Sequence, residues 1–203
     1  MARRTAVQSR ADATLAALKT ALPEPRCELD FEDTFQLLIA TILSAQTTDK
    51  QVNRATPALF AKYPTPALLA AAPLADVEAL VKTVGFSKTK AKNIRETARL
   101  LVERHGGEVP PSMEALIELP GAARKTANVV LGTGFGIPSG ITVDTHAHRV
   151  SRRLGLTRQD TPVLIERDLM RLFPRDEWIG IGHRLVLHGR YTCVARAPKC
   201  DVP

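Results

Sequence analysis

The stretch Ser112-Met113-Glu114-Ala115-Leu116-Ile117-Glu118-Leu119-Pro120-Gly121-Ala122-Ala123-Arg124-Lys125-Thr126-Ala127-Asn128-Val129-Val130 decides the fold. It reads as a short helix, a Pro120-Gly121 turn and a second helix that opens at once. Such a hairpin turns backbone N–H groups of the turn and of the second helix's first residues outward, and free N–H groups at a helix start suit a phosphate. An ordinary αα-hairpin has the same shape. Lys125 falls in the first turn of the second helix, where the helix dipole is positive. With Arg124 beside it, its ammonium form is disfavoured, and a neutral amine is what nucleophilic attack needs. A solvated or phosphate-binding lysine is the other reading of that position.

Outward from this hairpin, helical spacing dominates. Leu15, Leu18 and Leu22 predict a helix over 12–22, stopped by Pro23. Phe35, Leu38, Ile39, Ile42 and Leu43 predict one over 31–44. Residues 49–63 read as one or two helices, with Pro57 forcing a break or a fresh start. Thr65-Pro66 and Pro73-Leu74 mark further starts. Residues 89–104 form a basic helix with Ile94, Ala98, Leu101 and Val102 inward, ended by Gly106-Gly107. Helices over 145–154, 161–173 and 176–190 complete the series. No segment alternates with period two. The fold class is all-α, about ten short helices in two lobes with a DNA-binding cleft between them. The boundaries expected are 27–138 for one lobe, and 1–26 plus 139–203 for the other. The Gly-rich stretch 133–142 is the crossing.

The 203 residues carry 28 Lys+Arg against 21 Asp+Glu, for a formal net charge of +7. At 44% apolar residues the chain can bury a core, so disorder is excluded as its dominant state. Segment 82–104 alone holds seven basic and two acidic side chains. Basic charge also gathers at both ends of the chain, the electrostatic footprint of a polyanion partner. No run approaches the roughly 20 apolar residues of a membrane span, and the first ten residues have no apolar signal core. Three cysteines are too few and too odd for a disulfide framework, so a reducing cytoplasm and a monomer are expected.

A second stretch runs Gly136-Ile137-Pro138-Ser139-Gly140-Ile141-Thr142-Val143-Asp144-Thr145-His146-Ala147-His148-Arg149-Val150. Asp144 closes a Gly/Pro loop and starts a helix. As an N-cap it accepts N–H groups at the helix start, worth about 1 kcal/mol. The same geometry holds an ionised carboxylate in a fixed direction, so the two readings are compatible.

Taken together, the Leu119–Val130 hairpin and Val143-Asp144-Thr145-His146 resemble the helix-hairpin-helix plus Gly/Pro-Asp signature of the DNA glycosylase superfamily. The hairpin lysine resembles its endonuclease III branch. Leu43-Ser44-Ala45-Gln46-Thr47-Thr48-Asp49 is similar to that family's strand-inserting loop. Val84-Gly85-Phe86-Ser87-Lys88 is similar to its second DNA-wedging loop. His188-Gly189-Arg190-Tyr191-Thr192-Cys193 through Lys199-Cys200 resembles the start of its iron–sulfur loop.

The resemblance implies a bifunctional DNA glycosylase/AP lyase of base excision repair that removes oxidised pyrimidines from duplex DNA and nicks the abasic strand. Because the target sugar carbon lies inside the stack, the nucleotide is flipped out. Gln46 would plug the gap and Phe86 would wedge beside it, although Phe86 can also be read as core. Lys125 would attack C1′ and Asp144 would support it. A carboxylate raises a neighbouring amine's pKa, which opposes the dipole, and the sequence leaves that balance open. His146 would stand at the pocket rim or serve the helix. Gly121, Ala122, Ala123, Arg196 and Lys199 would anchor phosphates. A monofunctional glycosylase removing mismatched adenine or thymine, and a catalytically silent DNA-binding module, are the alternatives.

Two positions depart from the family pattern. Ala123 replaces a second hairpin glycine, at a cost of about 1 kcal/mol if that position needs a positive φ. The implied [4Fe-4S] cluster takes four cysteines as ligands. Cys193 and Cys200 match two of them, and Pro203 stands where a third would fall.

Overall fold

The computed structural model describes residues 5–199. Among these there is no strand, and eleven α-helices follow one another. They are α1 Ala6–Ala21, α2 Thr34–Leu43, α3 Asp49–Lys62, α4 Pro66–Ala71, α5 Leu74–Leu80, α6 Ser87–His105, α7 Met113–Ile117, α8 Arg124–Val129, α9 Thr145–Arg153, α10 Pro162–Leu172 and α11 Trp178–Tyr191. A π-helical turn, Val130–Gly134, prolongs α8, and a 3-10 turn, Arg175–Glu177, precedes α11. None of these helices is long and apolar enough to cross a membrane.

Short polar side chains start the helices where orphan N–H groups need acceptors. Asp33 accepts from Gln36 N at 2.8 Å, and Ser112 from Ala115 N at 3.3 Å. Thr5 does the same for Gln8 N, so α1 begins six residues before its apolar spacing suggested. Its first turns bury little, and burial is what periodicity reads. Pro57 neither breaks nor restarts α3. The lost backbone bond is outweighed by packing on both sides of it, with Val52 and Leu59 fully buried and Thr56 and Phe60 nearly so. Gly106, at φ 61°, takes the left-handed conformation that closes α6.

The chain divides into two compact units. One comprises Glu28–Ile137. The other is discontinuous, built from the segment up to Cys27 and the segment from Pro138 onward. In the continuous unit, α2 is the central element. Phe35 through Leu43 are all buried, so the helix is covered on every side rather than on one face. In α6 the inward arc is Lys90, Ala91, Ile94, Thr97, Ala98, Leu100 and Leu101. Val102 is 41% exposed and does not join it, since it lies about 100° around the helix from Leu101.

The discontinuous unit packs Ala11 and Leu18 of α1 with Ile141, Val150, Ile165, Leu169, Phe173, Ile181 and Leu185. Arg184 of α11 is buried and ties the end of α1 down, donating to the Leu22 and Pro23 carbonyls at 3.0 and 3.1 Å. Helices α9 and α11 touch closely at Gly189, where a Cβ would come within 2.8 Å of His146 Cβ.

Candidate nucleic-acid interface and active site

The hairpin forms from α7, the turn 118–123 and α8. Leu119 N donates to Leu116 O and Ala122 N to Leu119 O, at 3.1 and 3.0 Å. Gly121 stands at φ 82°, a conformation that strains any residue with a Cβ. A Cβ there would also meet Ile42 Cγ2 at 2.9 Å and Asn93 Nδ2 at 3.0 Å. Thr97 of α6 donates its hydroxyl to the Pro120 carbonyl at 3.0 Å, so the turn is pinned from beneath.

Two expectations for the turn change. Ala122 is buried and its N–H is spent on Leu119, so it has no N–H to offer a phosphate. Ala123 sits at φ −88°, ψ 174°, extended backbone that alanine adopts freely. The replacement of glycine at 123 therefore carries no conformational cost here. Gly121 and Ala123 are both exposed. Lys125 follows at the second position of α8 and is exposed.

On the same unit, Gln46 and Phe86 share an unusual property. Both hold the left-handed conformation, at φ 53° and 59°, and both are exposed. Phe86 is 68% exposed, which removes the core reading of this residue. Non-glycine residues pay about 1–2 kcal/mol for this conformation and keep it only where their surroundings fix it. The two loops approach each other, since a Cβ on Gly85 would lie 3.7 Å from both Gln46 O and Thr47 Oγ1. Gln46, Phe86, Lys90, Asn93 and Gly121 line one shallow pocket.

Lys90, which sequence reasoning passed over as one more basic residue of α6, is only 5% exposed. Its Nζ donates to Leu43 O at 2.8 Å and Thr47 Oγ1 at 2.7 Å. Burial pushes its pKa below the ordinary lysine value. Its spacing with Ile94, Thr97 and Leu101 was the available signal, because it places Lys90 on the inward arc.

On the discontinuous unit, Asp144 caps α9. Its Oδ1 accepts from His146 N and Ala147 N, both at 2.8 Å, which leaves Oδ2 outside the cap. The carboxylate is partly buried. His146 faces Arg149, with Nδ1 3.3 Å from Arg149 Nη2. Arg149 also donates to the Gly189 and Cys193 carbonyls. Arg153 donates to the Val194 and Ala195 carbonyls at 2.7 and 2.9 Å, and to Cys193 Sγ at 3.4 Å. Lys199 N returns to Thr192 O at 2.9 Å and closes this loop, leaving Arg196 and Lys199 exposed. Cys200 lies outside the described residues. Among the described residues, no group of three or more His, Cys, Asp or Glu gathers to hold a metal.

Against known proteins, residues 39–175 match the family described as "HhH-GPD superfamily base excision DNA repair protein". Endonuclease III of Synechocystis is 50% identical over 193 residues, 95% of this chain and 88% of the relative. Endonuclease III of Escherichia coli K12 is 45% identical over 186 residues, 92% of this chain and 88% of the relative. A solved structure described as a trapped endonuclease III–DNA covalent intermediate superposes with a TM-score of 0.93 at 40% identity, covering 99% of this chain and 93% of that one.

Proposed function

Since the chain belongs to the HhH-GPD superfamily of base excision DNA repair proteins, in its endonuclease III branch, we propose that Lys125 and Asp144 carry its chemistry and that oxidised pyrimidines are its substrates. The protein is a DNA glycosylase and AP lyase of base excision repair, acting on damaged duplex DNA.

One observation carries the assignment of the nucleophile. Lys125 is exposed at the second position of α8, immediately beyond the pinned Gly121 turn. Its amine attacks C1′ of the everted nucleotide and the C1′–N bond to the base breaks. Opening of the sugar ring leaves an imine between Nζ and C1′. The imine acidifies the C2′ proton. Loss of that proton to a base expels the 3′ phosphate by β-elimination, and water then releases the amine. Asp144, held by its cap in one direction, either accepts the proton of Lys125 or stabilises positive charge that develops on the sugar.

Gln46 and Phe86 enter the duplex where the nucleotide leaves it. Phe86 offers an exposed apolar face for stacking beside the gap, and Gln46 a donor and an acceptor toward the base left unpaired. Backbone N–H groups at Gly121 and Ala123, with Arg196 and Lys199, anchor phosphates. The sequence holds three cysteines, and Cys27 is remote in sequence from the other two. Cys193 Sγ accepts from Arg153 within a loop already closed by backbone bonds. These residues do not make up the four thiolates of a [4Fe-4S] cluster, and no step of the reaction runs through one.

Borohydride reduction on duplex DNA with an abasic site tests the assignment. A covalent adduct is expected with the parent chain and none with Lys125→Ala. Base release without adduct or nick would mean a monofunctional glycosylase. Binding and activity untouched by both Lys125→Ala and Asp144→Asn would mean a silent DNA-binding module.

A further inference from the structure

Gln46 and Phe86 lie 40 residues apart, yet one residue reaches the backbone around both. Lys90 N donates to Phe86 O at 3.0 Å, the bond that starts α6 behind the left-handed residue. Its side chain crosses to the other loop and bonds Leu43 O and Thr47 Oγ1. Leu43 O belongs to the last turn of α2, where carbonyls lack helical partners and the dipole favours a cation. Thr47 is the residue directly after Gln46. The ammonium thus bridges the two ends of the segment that carries Gln46. Distances of 2.7 and 2.8 Å are those of charge-assisted bonds. Burying an ammonium is costly, and an apolar stem of the same length would fill the space without that cost. The charge is therefore there for what it holds.

Resting on the reading of Gln46 and Phe86 as strand-inserting residues, we propose that Lys90 is a positioning residue that fixes both of them for entry into the duplex. Its backbone sets the conformation behind Phe86. Its side chain sets the 43–47 segment in the shape that points Gln46 outward. Lys90 itself is buried and touches neither base nor sugar.

The test separates insertion from chemistry. Single-turnover rates are compared for a lesion in duplex DNA and for an abasic site in a single-stranded oligonucleotide, where there is no stack to enter. Gln46→Ala and Phe86→Ala set the scale. Lys90→Met keeps the stem and removes the ammonium, and Thr47→Val removes one acceptor. Lys90→Met is expected to lose at least about tenfold more on the duplex than on the single strand, as a displaced positioning group does. Thr47→Val should show a smaller loss of the same kind. On a Gln46→Ala background, Lys90→Met should add little, since coupled residues are not additive. Equal losses on both substrates, or full additivity with Gln46→Ala, overturn the role of Lys90 alone. If Gln46→Ala and Phe86→Ala themselves fail to separate the substrates, the insertion reading falls and the role of Lys90 falls with it. Should Lys90→Met not fold, the Thr47→Val and Gln46→Ala cycle decides by the same criteria.

Discussion

Gly121 sits so near Ile42 that a Cβ added to it would lie 2.9 Å from Ile42 Cγ2. The hairpin turn is thereby seated directly on the fully buried central helix. Gly121→Ala meets both a positive φ and an overpacked contact, and should cost about 2–4 kcal/mol by urea unfolding. Ala123→Gly, on extended backbone at the start of α8, should change stability by less than about 1 kcal/mol. Similar values for the two variants would contradict the seating of the turn.

Asp144 combines a structural and a chemical duty that two substitutions separate. Asn also caps helices through its side-chain oxygen, so Asp144→Asn should leave the melting temperature nearly unchanged while slowing excision by about 100-fold. Asp144→Ala should lose the same activity and also about 1 kcal/mol, near 2–4 °C for a chain of this size. A slow Asp144→Ala with a fully active Asp144→Asn would reduce Asp144 to a cap.

The left-handed conformation of Gln46 is strain held for a purpose. Gln46→Gly relieves it with little lost burial, and should gain about 0.5–1 kcal/mol in stability. The same variant should process duplex lesions more slowly. A variant both less stable and slower would show that the loop stores no strain.

Burial pushes the pKa values of His183 and His188 below the ordinary histidine value. The folded state therefore prefers both imidazoles neutral. Their contribution to stability is complete above the unfolded value of about 6.5 and is lost as pH falls below it toward the folded values. Thermal melts from pH 7.5 down to 5.5 should show a falling midpoint, with a shallower fall when both residues are replaced by Gln. An unchanged slope in that double variant would assign the acid sensitivity to other groups.

The parts legible in the sequence were those governed by neighbours along the chain. The 112–130 hairpin, the Asp144 cap and the all-helical class each rest on turn chemistry or a 3.6-residue spacing, and all three appear in the structure. What escaped was decided by distant packing. Pro57 is carried inside α3 because buried neighbours on both sides hold the helix. Ala123 was charged with strain that depends on a backbone angle no composition reveals. Lys90 reads as a surface cation until the carbonyl of Leu43 and the hydroxyl of Thr47, more than 40 residues earlier, are brought to it.

The split ancestry of one unit bears on how the chain is made. Synthesis from the N-terminus delivers Glu28–Ile137 whole, a contiguous stretch able to collapse while the ribosome is still extending the polymer. Helix α1 emerges first but has to wait for α11, whose Arg184 and Leu185 complete its surroundings, until nearly the last codon has been read. The earliest helix is thus among the last to find its place, with its apolar stripe uncovered throughout translation.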